Sequence, residues 1–130
     1  MNRLSLLRSV SLIATIVITF TPQSLRAQDA VKADPKHYKV VFENDTVRVL
    51  RITYGPHEKS VMHEHPNGVA ILLTDESSRF TMPDGKTVDL TGKTGDAVWA
   101  PAGKHLPENL ADKVFELILV ELKPKMPKAK

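Results

Sequence analysis

The sequence predicts an all-β domain, a β-sandwich or a closed barrel, on three observations. Short stretches rich in β-branched and apolar residues recur at regular spacing along the chain. Glycine and proline turns punctuate them, with nine prolines and six glycines in 130 residues. Before residue 114 no stretch carries a convincing 3.6-residue periodicity, so nothing competes as a long helix. The length suits one compact domain with one core.

The elements follow in order. Tyr38 to Glu43 reads as a first strand, Asn44-Asp45 as a turn, and Thr46 to Tyr54 as a second strand. Gly55-Pro56 breaks the chain before Lys59 to His65, an extended segment that carries two histidines. Pro66-Asn67-Gly68 turns into the apolar run Val69 to Thr74, and Ser78 to Met82 leads into the Pro83-Asp84-Gly85 turn, where glycine accepts positive φ. Thr87 to Leu90 and Asp96 to Ala100 are short strands, the latter closed by Pro101-Ala102-Gly103. Val114 to Leu122 is continuous and apolar; its β-branched content and the Pro124 beyond it favour a buried strand over a helix.

The two ends read differently from the middle. Arg3 and Arg8 precede the apolar run Val10 to Phe20, which leads to Pro22, Ser24 and a small residue at Ala27. That order predicts a secretory signal peptide over residues 1–27, cut near Ala27-Gln28, with an uncleaved anchor or a buried helix as the alternatives; the run is short of the ~20 apolar residues of a membrane span. A periplasmic or secreted location, with no stable membrane insertion after processing, is the expectation. Residues 28–37 are polar, contain Asp34-Pro35, and read as an arm over the domain or a neighbouring subunit, with His37 solvated. Residues 38–123 form the barrel, and residues 124–130 a solvated, flexible basic tail.

Charge excludes one class of partner. The chain has 18 basic and 15 acidic residues, and the leader holds Arg3, Arg8 and Arg26 without an acid, so the remainder is formally neutral. Nucleic-acid binding, which needs a clustered basic face, is not expected. Small barrels expose edge strands that a second copy commonly covers, and the polar arm before Tyr38 has no other obvious use, so a homodimer is expected.

The chemistry concentrates at Met62-His63-Glu64-His65. Strand side chains alternate faces, so His63 and His65 share one face about 7 Å apart along the chain while Glu64 points the other way. Neutral imidazole is the commonest metal ligand, and two imidazoles need a third donor from elsewhere; His105 is the best candidate. There is no cysteine, so a metal must be held by nitrogen and oxygen, and neither a disulfide framework nor a thiol nucleophile is available.

These residues carry a resemblance to small single-domain cupins. Gly55, His63 and His65 fit the first cupin motif, with two more residues between glycine and pair than the motif has. Val69 or Ala70 stands where that motif has its glutamate. Gly95, Pro101, Gly103, His105 and Asn109 fit the second motif, with one residue fewer between glycine and histidine. The resemblance covers about residues 40–122, and the wording around it is similar to small cupins assigned to β-alanine degradation. It implies a double-stranded β-helix, the cupin or jelly-roll barrel, with a divalent metal held inside by His63, His65 and His105.

Three histidines leave coordination positions open for water or substrate. The resulting expectation is a metal-dependent oxygenase, dioxygenase-like, acting on a small anionic molecule, with Fe2+ as the foremost metal and Zn2+, Mn2+ or Ni2+ compatible with the same ligands. A non-catalytic cupin that binds or senses a small ligand is the alternative, because no catalytic base beyond the histidines can be named. His57 is a candidate fourth ligand if its strand runs straight, although Gly55-Pro56 just before it favours a turn. Trp99 is a candidate for the pocket wall, and Glu108 and Asn109 for support of the ligands.

Overall fold

The computed structural model describes residues 28–125. Residues 1–27, where the leader and its cleavage point are expected, and 126–130 of the tail lie outside them. In chain order the elements are β1 (Gln28–Asp29), α1 (Ala30–Ala33), β2 (Tyr38–Glu43), β3 (Val47–Tyr54), β4 (His63–His65), β5 (Gly68–Leu72), β6 (Glu76–Thr81), β7 (Thr87–Gly92), β8 (Ala97–Ala100), β9 (Gly103–Asn109) and β10 (Phe115–Leu122). They form two five-stranded sheets, ordered β1-β4-β9-β6-β7 and β2-β3-β10-β5-β8.

The second sheet grows from strict alternation. On β3, Leu50, Ile52 and Tyr54 are buried while Arg51 and Thr53 are exposed. Antiparallel β10 meets it rung by rung: Tyr54 opposite Phe115, Ile52 opposite Leu117, Leu50 opposite Leu119, and Arg48 opposite Glu121. This ladder, with Leu72 of β5, Tyr38 of β2 and Ala30 of α1, is the hydrophobic core. Each fully buried Leu or Ile contributes about 1.5–3 kcal/mol over leaving it exposed. Gly68 opens β5 where a Cβ would lie 2.5 Å from the Val120 carbonyl oxygen, so β5 and β10 approach this closely only because no side chain stands there.

The first sheet fills its inner side with polar groups: His63 and His65 of β4, Ser78 of β6 and Asn109 of β9 are all buried. Asn109 Nδ2 donates to the carbonyls of Gly55 and Lys113, and its Oδ1 accepts from the Ala111 amide, so it braces two loops.

Three features differ from expectation: the bounds of the histidine strand, a strand over residues 103–109, and the place of His37. The histidine segment is a strand only over His63–His65: Lys59 makes an isolated bridge to Glu108 of the same neighbouring strand, with Ser60 N–H donating to the Pro107 carbonyl, and between the two the Val61 carbonyl turns to accept from the His63 ring. Residues 103–109, which carry His105, form an unforeseen strand despite Pro107. Residues 28–37 are an ordered strap on this domain: β1 pairs in parallel with β4, Asp29 caps α1 by accepting from the Val31 amide, and Ala30 is fully buried. His37, expected in solvent, is 5% exposed, because the helical turn carries it inward to stack on Tyr54 at 4.4 Å.

Candidate metal centre

β4 and β9 are antiparallel, with His63 directly opposite His105 and His65 opposite Gly103. Alternation puts His63 and His65 on one inner face, and the cross-strand register brings His105 beside them. The ligand atoms of the three histidines all lie within 4.8 Å of one another. His63 is fully buried, His65 nearly so, and His105 half-buried. Glu64, between the pair, is exposed on the opposite face.

The hydrogen bonds decide which nitrogens point inward. His63 Nδ1–H donates to the Val61 carbonyl at 2.8 Å, and His65 Nδ1–H donates to Glu121 Oε1 at 2.5 Å. With both Nδ1 protons so assigned, each Nε2 carries a lone pair, and the two Nε2 atoms face each other at 3.1 Å. Two lone pairs that close need a cation between them. A shared proton could bridge two nitrogens but has no use for a third; a metal ion uses all three imidazoles. Nitrogens at right angles about 2.1 Å from one ion stand about 3.0 Å apart, so the spacing fits adjacent coordination positions.

Electrostatics point the same way. Burial, then the nearby His65, lowers His63 to about 4 against the opposing pull of the Val61 carbonyl. Burial, then His63 and His65, lowers His105 to about 3. At neutral pH both rings are uncharged donors. Aromatic packing holds the rings in place: Phe80 of β6 lies 4.3 Å from His105, and Tyr38 lies 4.8 Å from His63 and 5.5 Å from His65.

A chain of charged groups backs His65. Glu121, 1% exposed, accepts from His65 with one carboxylate oxygen and from Arg48 Nε at 2.5 Å with the other. Burial alone would raise Glu121, but the hydrogen bonds from His65 and Arg48 outweigh it and hold the carboxyl below its usual range. Arg48 in turn pairs with Asp29. Glu121 was missed from sequence, yet a signal was there: it lies on the same alternation as Phe115, Leu117 and Leu119, an acid on the inward face of the most apolar strand.

The other expected site residues stand apart. His57 is not brought to the three histidines: the turn after Gly55-Pro56 puts it at φ 56, and its exposed ring bonds Asp112 at 2.5 Å. Trp99 does not line the interior. It is 58% exposed on edge strand β8, while its neighbour Ala100 takes the core side. Glu108 faces Lys59 near the surface rather than a histidine, and Asn109 braces loops as described above. Val69 and Ala70 pair with Trp99 and Val98 of β8, so β5 offers no carboxylate at the position where the cupin motif has one.

No family model and no curated protein matches the chain. Solved structures do. A cupin domain from Bordetella pertussis Tohama I is similar at TM-score 0.62 and 24% identity, over 67% of this chain and 92% of that one. An RmlC-like cupin family protein with a double-stranded β-helix fold from Methanocaldococcus jannaschii is similar at TM-score 0.53 and 16% identity, over 86% and 93%. A conserved protein with a double-stranded β-helix domain from Klebsiella pneumoniae is similar at TM-score 0.52 and 21% identity, over 68% and 84%. Two facing sheets, strand order and these likenesses agree: residues 28–125 have the fold of small cupin domains, a double-stranded β-helix.

Proposed function

We propose that this chain is an exported cupin that holds a divalent metal with His63, His65 and His105 and acts as an oxygenase on a small anionic organic molecule. The convergence of three neutral imidazoles, with no carboxylate among the ligating atoms, carries this reading. A redox-active ion such as Fe2+ would supply Lewis-acid and one-electron chemistry at the remaining positions, and Zn2+, Mn2+ or Ni2+ would suit the same donors. The protein's own part is orientation and exclusion. The Val61 carbonyl and Glu121 keep both β4 imidazoles turned inward, and Tyr38 and Phe80 close apolar surface around them. Glu121, the carboxylate bonded to His65, is matched by Arg48, and three neutral imidazoles would leave the dipositive charge of the ion to favour an anion.

One observation favours the non-catalytic alternative, a cupin that binds or senses a small ligand. The buried acids Asp34 and Glu121 are both fully engaged in hydrogen bonds, which leaves neither free to act as a base. Oxygen uptake by Fe2+-loaded protein across small carboxylic acids and diketones separates the two. Consumption that disappears in His105→Ala supports the oxygenase; saturable binding without consumption supports the binding protein. Metal retained at full occupancy by His105→Ala removes the centre altogether.

Export rests on the Arg-flanked apolar run before Ala27 and is tested by the intact mass of protein from an exporting host, which should begin near Gln28. The strap's use on its own domain removes one reason to expect a homodimer; the exposed Val40, Val41 and Phe42 on edge strand β2 remain as support, and light scattering at micromolar concentration tests it.

A further inference from the structure

We infer that the strap, residues 28–37, is a positioning element of the metal centre: its two carboxylates, Asp29 and Asp34, set the orientation of His65 and His63. The inference rests on the proposed three-histidine metal site and adds to it a segment that no cupin motif includes.

Two routes run from the strap to β4. In the first, Asp29 Oδ1 accepts from the Val31 amide and fixes the start of α1, while Oδ2 pairs with Arg48; Arg48 Nε donates to Glu121, which accepts from His65 Nδ1–H. In the second, Asp34 Oδ2 accepts from Ser60 Oγ at 2.6 Å and from His37 Nδ1–H at 2.6 Å, and Ser60 Oγ stands 3.4 Å from His63 Nδ1. The far nitrogen of His37 meets Glu58, itself paired with Lys36, so the second route is anchored at both ends of the strap's last turn. Ser60 also donates its amide to the Pro107 carbonyl, two residues from His105, which ties this route to β9.

The strap's backbone adds to both. β1 hydrogen-bonds alongside β4 with Gln28 opposite His63 and Asp29 opposite Glu64, and the chain leaves the strap directly into Tyr38, whose ring packs on both β4 histidines. Partners that orient a ligating imidazole typically govern metal affinity by about 10–100-fold, because a ring free to rotate no longer presents its lone pair. Asp29 and Asp34 are therefore positioning residues that act through Arg48–Glu121 and Ser60.

The test is Co2+ binding to the full-length protein, read as dissociation constant and visible absorption spectrum, alongside melting in the metal-free state. Asp34→Ala should weaken Co2+ by about 10-fold or more and alter the spectrum; the Asp29→Asn, Asp34→Ala double variant should approach about 100-fold. Asp29→Glu should restore most of what Asp29→Asn loses. Leu72→Ala loosens the core by packing alone and leaves the strap and both carboxylates in place, so it should lower the melting temperature with the spectrum unchanged. Wild-type affinity and spectrum in the aspartate variants, or equal weakening in Leu72→Ala at matched stability, overturns the strap's role while the centre stands. Failure of wild-type protein to bind Co2+, or undiminished binding by His105→Ala, overturns the centre and the strap's role with it.

Discussion

The two sheets face one interior and fill it with different chemistry. The β2-β3-β10-β5-β8 sheet contributes Tyr38, Leu50, Ile52, Tyr54, Leu72, Phe115 and Leu119, every core hydrophobic apart from Ala30 of the strap. The β1-β4-β9-β6-β7 sheet contributes His63, His65, Ser78 and Asn109. In the apolar sheet β3 and β10 pair over eight residues in unbroken register, whereas β4 pairs with β9 over three. One sheet thus holds the domain together through burial, and the other is held in place by it while presenting groups that gain little by being buried. The division is not complete. Arg48 and Glu121 end the apolar ladder, at the rung where it meets the histidines.

The largest effect that this division predicts is on the apolar side. Leu50→Ala removes a fully buried side chain opposite Leu119 and should cost about 2–5 kcal/mol by urea denaturation. Its metal affinity, measured on the folded protein, should stay within about twofold, because the three histidines stand on the other sheet and their hydrogen bonds do not involve Leu50. A parallel collapse of affinity would show that the two sheets are one cooperative unit.

An intermediate effect belongs to the histidine side and depends on pH. In metal-free protein His63 is lowered to about 4 and His105 to about 3, from an ordinary value of 6.5 that the unfolded chain recovers. The unfolded state therefore binds more protons below 6.5. The stability that these two rings contribute is fully present above about pH 6.5 and is lost as pH falls through about 4 and then about 3. Urea midpoints of EDTA-treated protein should decline from pH 7 to pH 4, and His63→Gln combined with His105→Gln should flatten the decline. The depressed carboxylates, Glu58 and Asp75 among them, act only lower on the scale, so they leave the upper part of that window to the histidines.

Legibility in the sequence followed the same division. The bounds of β2, β3 and β10 were legible to within a residue, as β-branched and apolar runs cut by turn residues. The His-x-His pair was legible through the two-residue period of a strand, and His105 through its motif. β9 was not, because Pro107 and the polar Lys104, Glu108 and Asn109 read as loop; the Pro107 carbonyl is used by Ser60, a contact from 47 residues earlier that no local pattern encodes. The strap's contacts were hidden likewise. Asp34-Pro35 is ordinary linker composition until Ser60 and His37 meet the carboxylate, and those partners come from tertiary structure.

The smallest predicted effects sit on the outer side of the same segment, and they test how sharply the centre ends. Glu64 lies between two ligands in sequence but faces solvent, so Glu64→Ala should change stability by no more than about 0.5 kcal/mol and leave metal content at the wild-type level. His57 is the more searching case. At φ 56 it occupies the left-handed region, where glycine relieves about 1–2 kcal/mol of steric cost, while its exposed pair with Asp112 is worth about 0–1 kcal/mol. These terms are of similar size and opposite sign, so His57→Gly should be neutral to slightly stabilising in metal-free protein. If His57 were a ligand, the variant would instead lose affinity while gaining backbone ease, and the metal-bound and metal-free melting temperatures would move in opposite directions. Equal shifts in both forms place His57 outside the centre and leave three imidazoles as its full set of protein ligands.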